Sequence, residues 1–359
     1  MFCIAAFIVL LFMAAVSAKY RRYLSKAWHC TFRRVTFRPC DISFKDEVKG
    51  RLLARVAVRK PKMVKAASIG LEIAAFLVIV LTVWSLYVVV KSGLNLYVYG
   101  TCNPSNAASC SLGAEACSIE EVKPSFVDSA KSFKLHEWFG SEFSDFGKTI
   151  TSVPARARDW KAADYQPANA SYSKPYDASK PIAVEIIDPG CLYCQQLYRN
   201  IKQAAFDNRY NLTYIAYPIP DSTQPSGYKF SNSKLIVSYL EAIRLQPPKQ
   251  ANEGDQAVDW RILDRLFVGT TDSGANWQTV INTSYSNNQT TALLHEWLAE
   301  FGYSEGEIDS LQVLAASDQV ASIMADNERL VRDEIKTVKI PTIIYDGRRH
   351  DGVVKAEDL

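Results

Sequence analysis

The run Ala66–Val90 is almost wholly apolar over 25 residues. As a helix it reaches roughly 37 Å, enough to cross the hydrocarbon core of a bilayer with some tilt. Glu72 lies near one end of the run, within snorkelling reach of the interface and of Lys65, and Trp84 and Tyr87 sit toward the other, as interfacial aromatics do. A second apolar run, Met1–Ala18, carries no charged side chain. It ends in small residues, as a cleaved signal peptide does, but no Lys or Arg precedes it. It is therefore read as a first membrane helix.

Between the two runs, residues 19–65 hold 15 Lys/Arg against 3 Asp/Glu, a net of +12. The whole chain is only +3, so residues 66–359 sum to 3 − 12 = −9. Cationic loops beside membrane helices stay on the cytoplasmic side. One topology then satisfies both helices: N-terminus out, loop 19–65 inside, residues 91–359 outside. Within the loop, Phe44, Val48, Leu52 and Val56 recur every four residues among Lys45, Lys49, Arg51, Arg55 and Arg59. This pattern predicts a basic amphipathic helix on an anionic membrane surface. The loop has no basic–aromatic platform, so no nucleic-acid partner is expected. Cys30, Cys40 and His29 share the loop but are too small a set for a metal site, and no metal or cofactor is expected.

Residues 91–180 show no strong strand pattern. Phe126, Ala130, Phe133, Phe139, Phe143 and Phe146 fall at loose helical spacing, which suggests a helical stalk. Tyr165–Lys180, rich in Pro, Ala, Ser and Asn, reads as a linker. A compact strand signal follows at Pro181–Ile187, broken by Asp188-Pro-Gly190. Cys191-Leu-Tyr-Cys194 then opens a helix to about Phe206, and Leu212–Tyr217 is a second strand. A long helical stretch occupies about 230–336. Strands return at Thr342–Tyr345, a turn at Asp346-Gly347, and a weak strand near Val353.

A Cys-x-x-Cys pair binds zinc, clips a fold, or exchanges disulfides. Structural zinc needs four ligands, and no second pair accompanies this one. A short disulfide loop stabilises a fold less than a long one. Strand, break, Cys-x-x-Cys and helix in succession place Cys191 at a helix N-terminus, where exposed N–H groups favour the thiolate that attacks disulfides. Cys191 is then the exposed attacking group, and Cys194, one turn further in, the shielded one.

Val184-Glu-Ile-Ile-Asp-Pro-Gly-Cys-Leu-Tyr-Cys194 and Ile340-Pro-Thr-Ile-Ile-Tyr-Asp-Gly347 resemble the active strand and the cis-proline hairpin of the thioredoxin superfamily. The 150 positions from Cys191 to Pro341 narrow the resemblance to the DsbA-like branch, whose fold carries a helical insert between these landmarks. The resemblance covers about 181–359. It implies an α/β thioredoxin-like fold with an insert at about 230–336, here preceded by two transmembrane helices (1–18 and 66–90), a basic cytoplasmic loop (19–65), and an extracytoplasmic stalk and linker (91–180). It implies that Ile340 and Pro341 bind the substrate backbone beside Cys191 and Cys194, though Pro341 is also readable as an ordinary strand-edge proline. Glu185 takes the place of the family's buried acid beneath the motif. There a raised pKa would let it exchange a proton with Cys194; on a sheet edge it would be an exposed Glu.

The sequence also departs from the family. The dipeptide Leu192-Tyr193 lacks the His of DsbA, and Tyr before the second Cys resembles the isomerase/reductase group. A closing helix is expected where the sequence ends at Leu359. Cys102, Cys110 and Cys117 follow the second apolar run, on the side that permits disulfides. Cys102–Cys110 is the expected structural pair, leaving Cys117 free or shuttling electrons to the Cys191 pair. Sequons at Asn169, Asn211, Asn282 and Asn288 matter only in a glycosylating pathway.

The expected function is a membrane-anchored, extracytoplasmic thiol–disulfide oxidoreductase. Its partners would be cysteine-containing outer-face proteins and a membrane redox partner, either a quinone-linked oxidase or an electron donor. A reductase or isomerase of the same fold, and a non-catalytic adaptor, are the alternatives.

Overall fold

The computed structural model describes residues 61–104, 115–119, 125–247 and 256–359, with isolated positions among the first 60. Most of the first apolar run and of the basic loop with its expected amphipathic helix, together with Cys30, Cys40 and Cys110, lie outside the described residues. The chain divides into two compact units, Met1–Val90 and Lys91–Leu359.

Helix α1, Val64–Tyr99, is 36 residues long and, among the described residues, is the helix long and apolar enough to cross a membrane. Leu77, Leu81, Val83, Leu86 and Val89 along it are exposed. The helix runs nine residues beyond the apolar run, from Lys91 to Tyr99. These last turns are polar on one side for a reason: Lys91 pairs with Glu142, and Asn95 accepts a 2.7 Å hydrogen bond from Thr149. Both partners lie on α3.

Past α1 come strand β1 (Cys117–Ser118) and helices α2 (Phe126–Lys131) and α3 (Leu135–Ala157). Strand β2 (Ile182–Ile187), helix α4 (Leu192–Gln203) and strand β3 (Asn211–Ala216) form a parallel β-α-β unit. Helices α5 (Ser233–Leu245), α6 (Val258–Phe267), α7 (Trp277–Ser284), α8 (Asn287–Glu300), α9 (Glu305–Ala315) and α10 (Asp318–Arg329) make up the insert, and α10 runs on as a π-helical turn through Ile335. Strands β4 (Lys339–Ile340), β5 (Thr342–Tyr345) and β6 (Arg348–Asp351) close the chain. The main sheet has the order β3-β2-β5-β6, with β5 antiparallel to both β2 and β6. This is a thioredoxin-like sheet with a helical insertion.

The sequence accounts for this plan. Strands β2 and β3 are buried along almost their whole length and, apart from Glu185, Asn211 and Thr213, are built of apolar or aromatic residues, as buried parallel strands are. In α4 the buried Cys194, Leu197, Tyr198 and Ile201 recur at helical spacing and form the face laid on the sheet. The insert is joined to the sheet by a buried ionic cluster. The Arg244 guanidinium, on α5, stacks 3.7 Å from the centre of the Tyr214 ring on β3 and donates to the Tyr214 carbonyl at 3.1 Å. It pairs with Glu241 at 3.4 Å and with Asp259 on α6 at 3.1 Å, with all three side chains at most 3% exposed.

Tyr165–Lys180 is not a free linker. Asn169 donates to Glu241 at 2.8 Å and Ser171 to Asp259 at 2.9 Å, so the stretch is bound into the same cluster. Tyr172 bridges to Thr213, and Asn211 bonds the backbone at Asp177 and Lys180. Its composition signalled irregular backbone; side-chain partners remote in sequence fix that backbone along the edge of β3.

Removing one member of a buried ionic cluster strands the others without a partner. Arg244→Ala is therefore expected to destabilise the chain by about 3–5 kcal/mol, read by chemical denaturation in detergent. An unchanged midpoint would show that the cluster does not hold the insert to the sheet.

Candidate functional site

The site lies where β2 ends. Asp188 stops the strand, and the Pro189-Gly190 turn delivers Cys191 to the N-cap of α4. Gly190 is required by space: a Cβ there would fall 2.4 Å from the Phe230 side chain. The turn is held from the insert. Gln278 on α7 donates to the carbonyls of Pro189 at 2.7 Å and Cys191 at 3.0 Å, and Asn282 donates to that of Gly190 at 2.8 Å. From the other side, Asp188 accepts from the Gly190 N–H and the Ile219 N–H, each at 2.7 Å, and from the Ser233 hydroxyl.

Opposite stands the Ile340–Pro341 segment. Its peptide bond is cis, and the Ile340 carbonyl lies 3.5 Å from Cys191 Sγ. The sequence separates these groups by 149 positions; the antiparallel pairing of β2 with β5, with Ile186 opposite Thr342, brings them together.

Cys191 is not bonded to Cys194. It forms a disulfide with Cys117, 74 positions earlier in the chain. Cys194 is the free cysteine among the described residues, and it is buried. Cys191 itself has no exposed surface. The expectation of an exposed attacking sulfur is thus corrected, and the reason is β1. Strand β1 pairs antiparallel with β4, Cys117 opposite Ile340 and Ser118 opposite Lys339, and lies over the sulfur.

Cys194 accepts a 3.4 Å hydrogen bond from the Asp188 N–H. Burial pushes its thiol well above the ordinary value; the Asp188 N–H opposes this, while the charges of Glu185 and Asp188 add to it. Glu185 is 1% exposed in the middle of β2, between Tyr214 and Ile343 in register. Its Oε1 has no hydrogen-bond partner among the described residues, and burial raises its pKa to about 8. Asp188 rises less, to about 6, because the Ile219 N–H, the Ser233 hydroxyl and the Gly190 N–H counter the burial. Two acids that can hold protons near neutral pH therefore act electrostatically on the buried thiol.

Of the expected site residues, the structure brings Cys191, Cys194, Ile340 and Pro341 together beyond the end of β2, while Glu185 lies within that strand and reaches Cys194 through its charge. Cys102 is disulfide-bonded, and its expected partner Cys110 lies outside the described residues. Asp188, Ser233, Gln278 and Asn282 were not singled out. An Asp before Pro-Gly at a strand end was the available signal for Asp188; nothing local marks the other three. Among the described residues no group of His, Cys, Asp and Glu is arranged to hold a metal ion.

No family model and no curated protein sequence matches the chain. Among solved structures it is similar to a thioredoxin-like oxidoreductase from Silicibacter pomeroyi, at 16% identity and a TM-score of 0.36 over 53% of this chain and 87% of that one. The thiol-disulfide exchange protein alpha-DsbA2 of Wolbachia pipientis matches at 14% identity and a TM-score of 0.36, over 52% and 82%. The MdbA protein of Corynebacterium diphtheriae, a thiol-disulfide oxidoreductase, matches at 15% and 0.35, over 53% and 92%.

A carboxyl whose folded pKa lies above its unfolded value near ~4.3 binds more protons when folded. Its contribution to stability is complete below that unfolded value and is lost as pH rises through the folded one. For Glu185 the window closes at about pH 8; for Asp188 it closes at about 6. Stability should therefore fall from pH 5 to pH 8. Glu185→Gln should flatten the upper part of that fall and leave the chain more stable than the wild type at pH 8. Parallel curves for the two proteins would place Glu185 in contact with solvent.

Proposed function

We propose that the chain is a membrane-anchored thiol–disulfide oxidoreductase that exchanges disulfides with cysteine-bearing proteins on the outer face of the membrane. The observation that carries this reading is the environment of Cys191. It sits at a helix N-terminus, faces the Ile340-Pro341 backbone, and is already disulfide-bonded to an extended strand paired on that backbone.

The exchange follows from these positions. In the oxidised pair Cys191 is bonded to Cys194. A client thiolate attacks Cys191, the bond to Cys194 breaks, and Cys194 leaves as a thiolate. That thiolate is buried and near two acids, so it is held poorly as an anion and is protonated. Glu185 is the proposed proton donor, since its Oε1 has no other partner among the described residues. A second client thiolate then attacks the mixed disulfide and frees Cys191. Residues 338–340 pair with the client backbone throughout, as they pair with 117–119 here. Helix α1 is the proposed anchor, and the basic loop 19–65 lies on an anionic inner surface. A membrane redox partner returns the cysteines to their starting state.

Two experiments test the reading. In a chain carrying Cys117→Ser, so that the internal cysteine is absent, Cys194→Ser leaves Cys191 as a thiolate that attacks client disulfides, the exchange above run in reverse, with no Cys194 to displace it; covalent complexes with outer-face proteins that reducing agent dissolves should accumulate. Cys191→Ser in the same background should trap none; equal yields from both would sink the assignment. Chains in intact cells whose single cysteine is either Cys40 or one introduced by Val313→Cys, an exposed position on α9, should react with an impermeant thiol reagent at position 313 and not at Cys40. The reverse pattern would put the domain in the cytosol.

A further inference from the structure

The segment 115–119 is attached to the groove by more than its sulfur. Cys117 and Ser118 are in register with Ile340 and Lys339, and the Ile119 N–H donates to the Val338 carbonyl at 3.0 Å. At its start the Glu115 carbonyl accepts from the Val353 N–H at 3.0 Å, and Lys229 donates to the Ser118 carbonyl at 3.4 Å. The segment therefore occupies the backbone positions that another cysteine-bearing strand would need. Its tether begins at the groove as well: the buried Lys339 donates from Nζ to the Gly100 carbonyl at 3.0 Å. Cys117 is 8% exposed and Cys191 0%, so an external thiolate has no open approach to this disulfide. The free thiol beside it is Cys194, one helical turn from Cys191.

We propose that residues 115–119 are an internal latch, a tethered strand whose Cys117 takes the client's place on Cys191 and is released by Cys194. The proposal rests on the exchange chemistry above. In the releasing step, the Cys194 thiolate forms a bond to Cys191 Sγ as the Cys191–Cys117 bond breaks. The electron pair of that bond goes to Cys117 Sγ, and the proton given up by Cys194 ends there. One disulfide and one thiol exist before and after, so the step needs no outside oxidant or reductant. The chain alternates between a closed state, with Cys117 bonded to Cys191, and an open state, with Cys191 bonded to Cys194 and Cys117 as a thiol. Clients react with the open state. A strand on a short tether competes at an effective concentration on the order of millimolar, so a micromolar client is strongly disfavoured while the latch can re-form.

The test uses the full oxidised chain in detergent. Thiols are blocked with N-ethylmaleimide during acid-quenched unfolding, and linked peptides from trypsin combined with a glutamate-specific protease, which cuts Cys117 away from Cys102 and Cys110, are mapped by fragmentation. The wild type should give the Cys117 peptide joined to the Cys191 peptide, with the label on Cys194. Ile119→Pro removes the N–H that Val338 accepts while keeping all the cysteines; it should shift label from Cys194 to Cys117. With a micromolar peptide dithiol, Cys117→Ser and Ile119→Pro should each exchange at least about tenfold faster than the wild type, as expected once a strand at millimolar effective concentration is removed. A wild-type map showing Cys191 joined only to Cys194, or variants that do exchange but no faster than the wild type, would overturn the latch. If the linked peptides are found but no variant exchanges with any dithiol, the latch stands and the oxidoreductase reading falls.

Discussion

The buried guanidinium of Arg244 is the point on which the arrangement of sheet and insert depends. A charge withdrawn from water must be met on all sides, and here Glu241, Asp259, the Tyr214 carbonyl and the Tyr214 ring meet it. These groups come from β3, α5 and α6. Asn169, Ser171 and Asn327 complete the hydrogen bonds of the two carboxylates. Apolar packing alone would let the helices slide on the sheet; ion pairs and hydrogen bonds with fixed directions do not. The consequence reaches the site, because α5 begins with Ser233, which holds Asp188. About three turns of the same helix separate Arg244 from Ser233, the residue that shapes the Cys191 turn.

The second constraint is the double use of the segment from Lys339 to Tyr345. On one side of Pro341 it is β5, in the middle of the sheet between β2 and β6. On the other it is β4, which leaves the main sheet and pairs with β1. A strand that ended at the sheet would offer no backbone for a peptide to pair with. One that continued straight would pair with β2 and not with a strand above Cys191. Thr337 and Thr342 secure the change of direction: their hydroxyls lie 2.8 Å apart and 3.0 and 2.6 Å from the Lys339 carbonyl, so one donates to that carbonyl and the other to the carbonyl or to its neighbour.

What could be read in advance follows the range of the interactions involved. Strand β2, helix α4 and β5 were legible because burial on both faces, helical spacing and a Cys-x-x-Cys at a strand end are local patterns. Glu185 was legible as an anomaly, a carboxylate in an apolar strand. The ordered path of Tyr165–Lys180 was not, since its partners Glu241, Asp259 and Asn211 lie tens of residues away and its composition marks only irregular backbone. Cys117 was half legible. An odd cysteine beside a preferred pair signals an unplaced sulfur. Its bond to Cys191 depends on β1 pairing with β4, and two residues of strand leave no period in the sequence.

That pairing changes the meaning of the buried Cys194. In the exchange proposed above, Cys194 leaves when a client attacks Cys191, and in the reverse direction it attacks the mixed disulfide and frees the client. With Cys117 in the groove, the same thiol faces a mixed disulfide made within the chain. Its low acidity then restrains the opening step, because only the thiolate attacks and burial disfavours the thiolate. The groups that set this restraint are Glu185 and Asp188, whose negative charges raise the Cys194 pKa and whose protonation relieves it. Resolution of a client and release of the internal strand would therefore be governed by the same two carboxyls. A substitution at Glu185 cannot alter one process without altering the other.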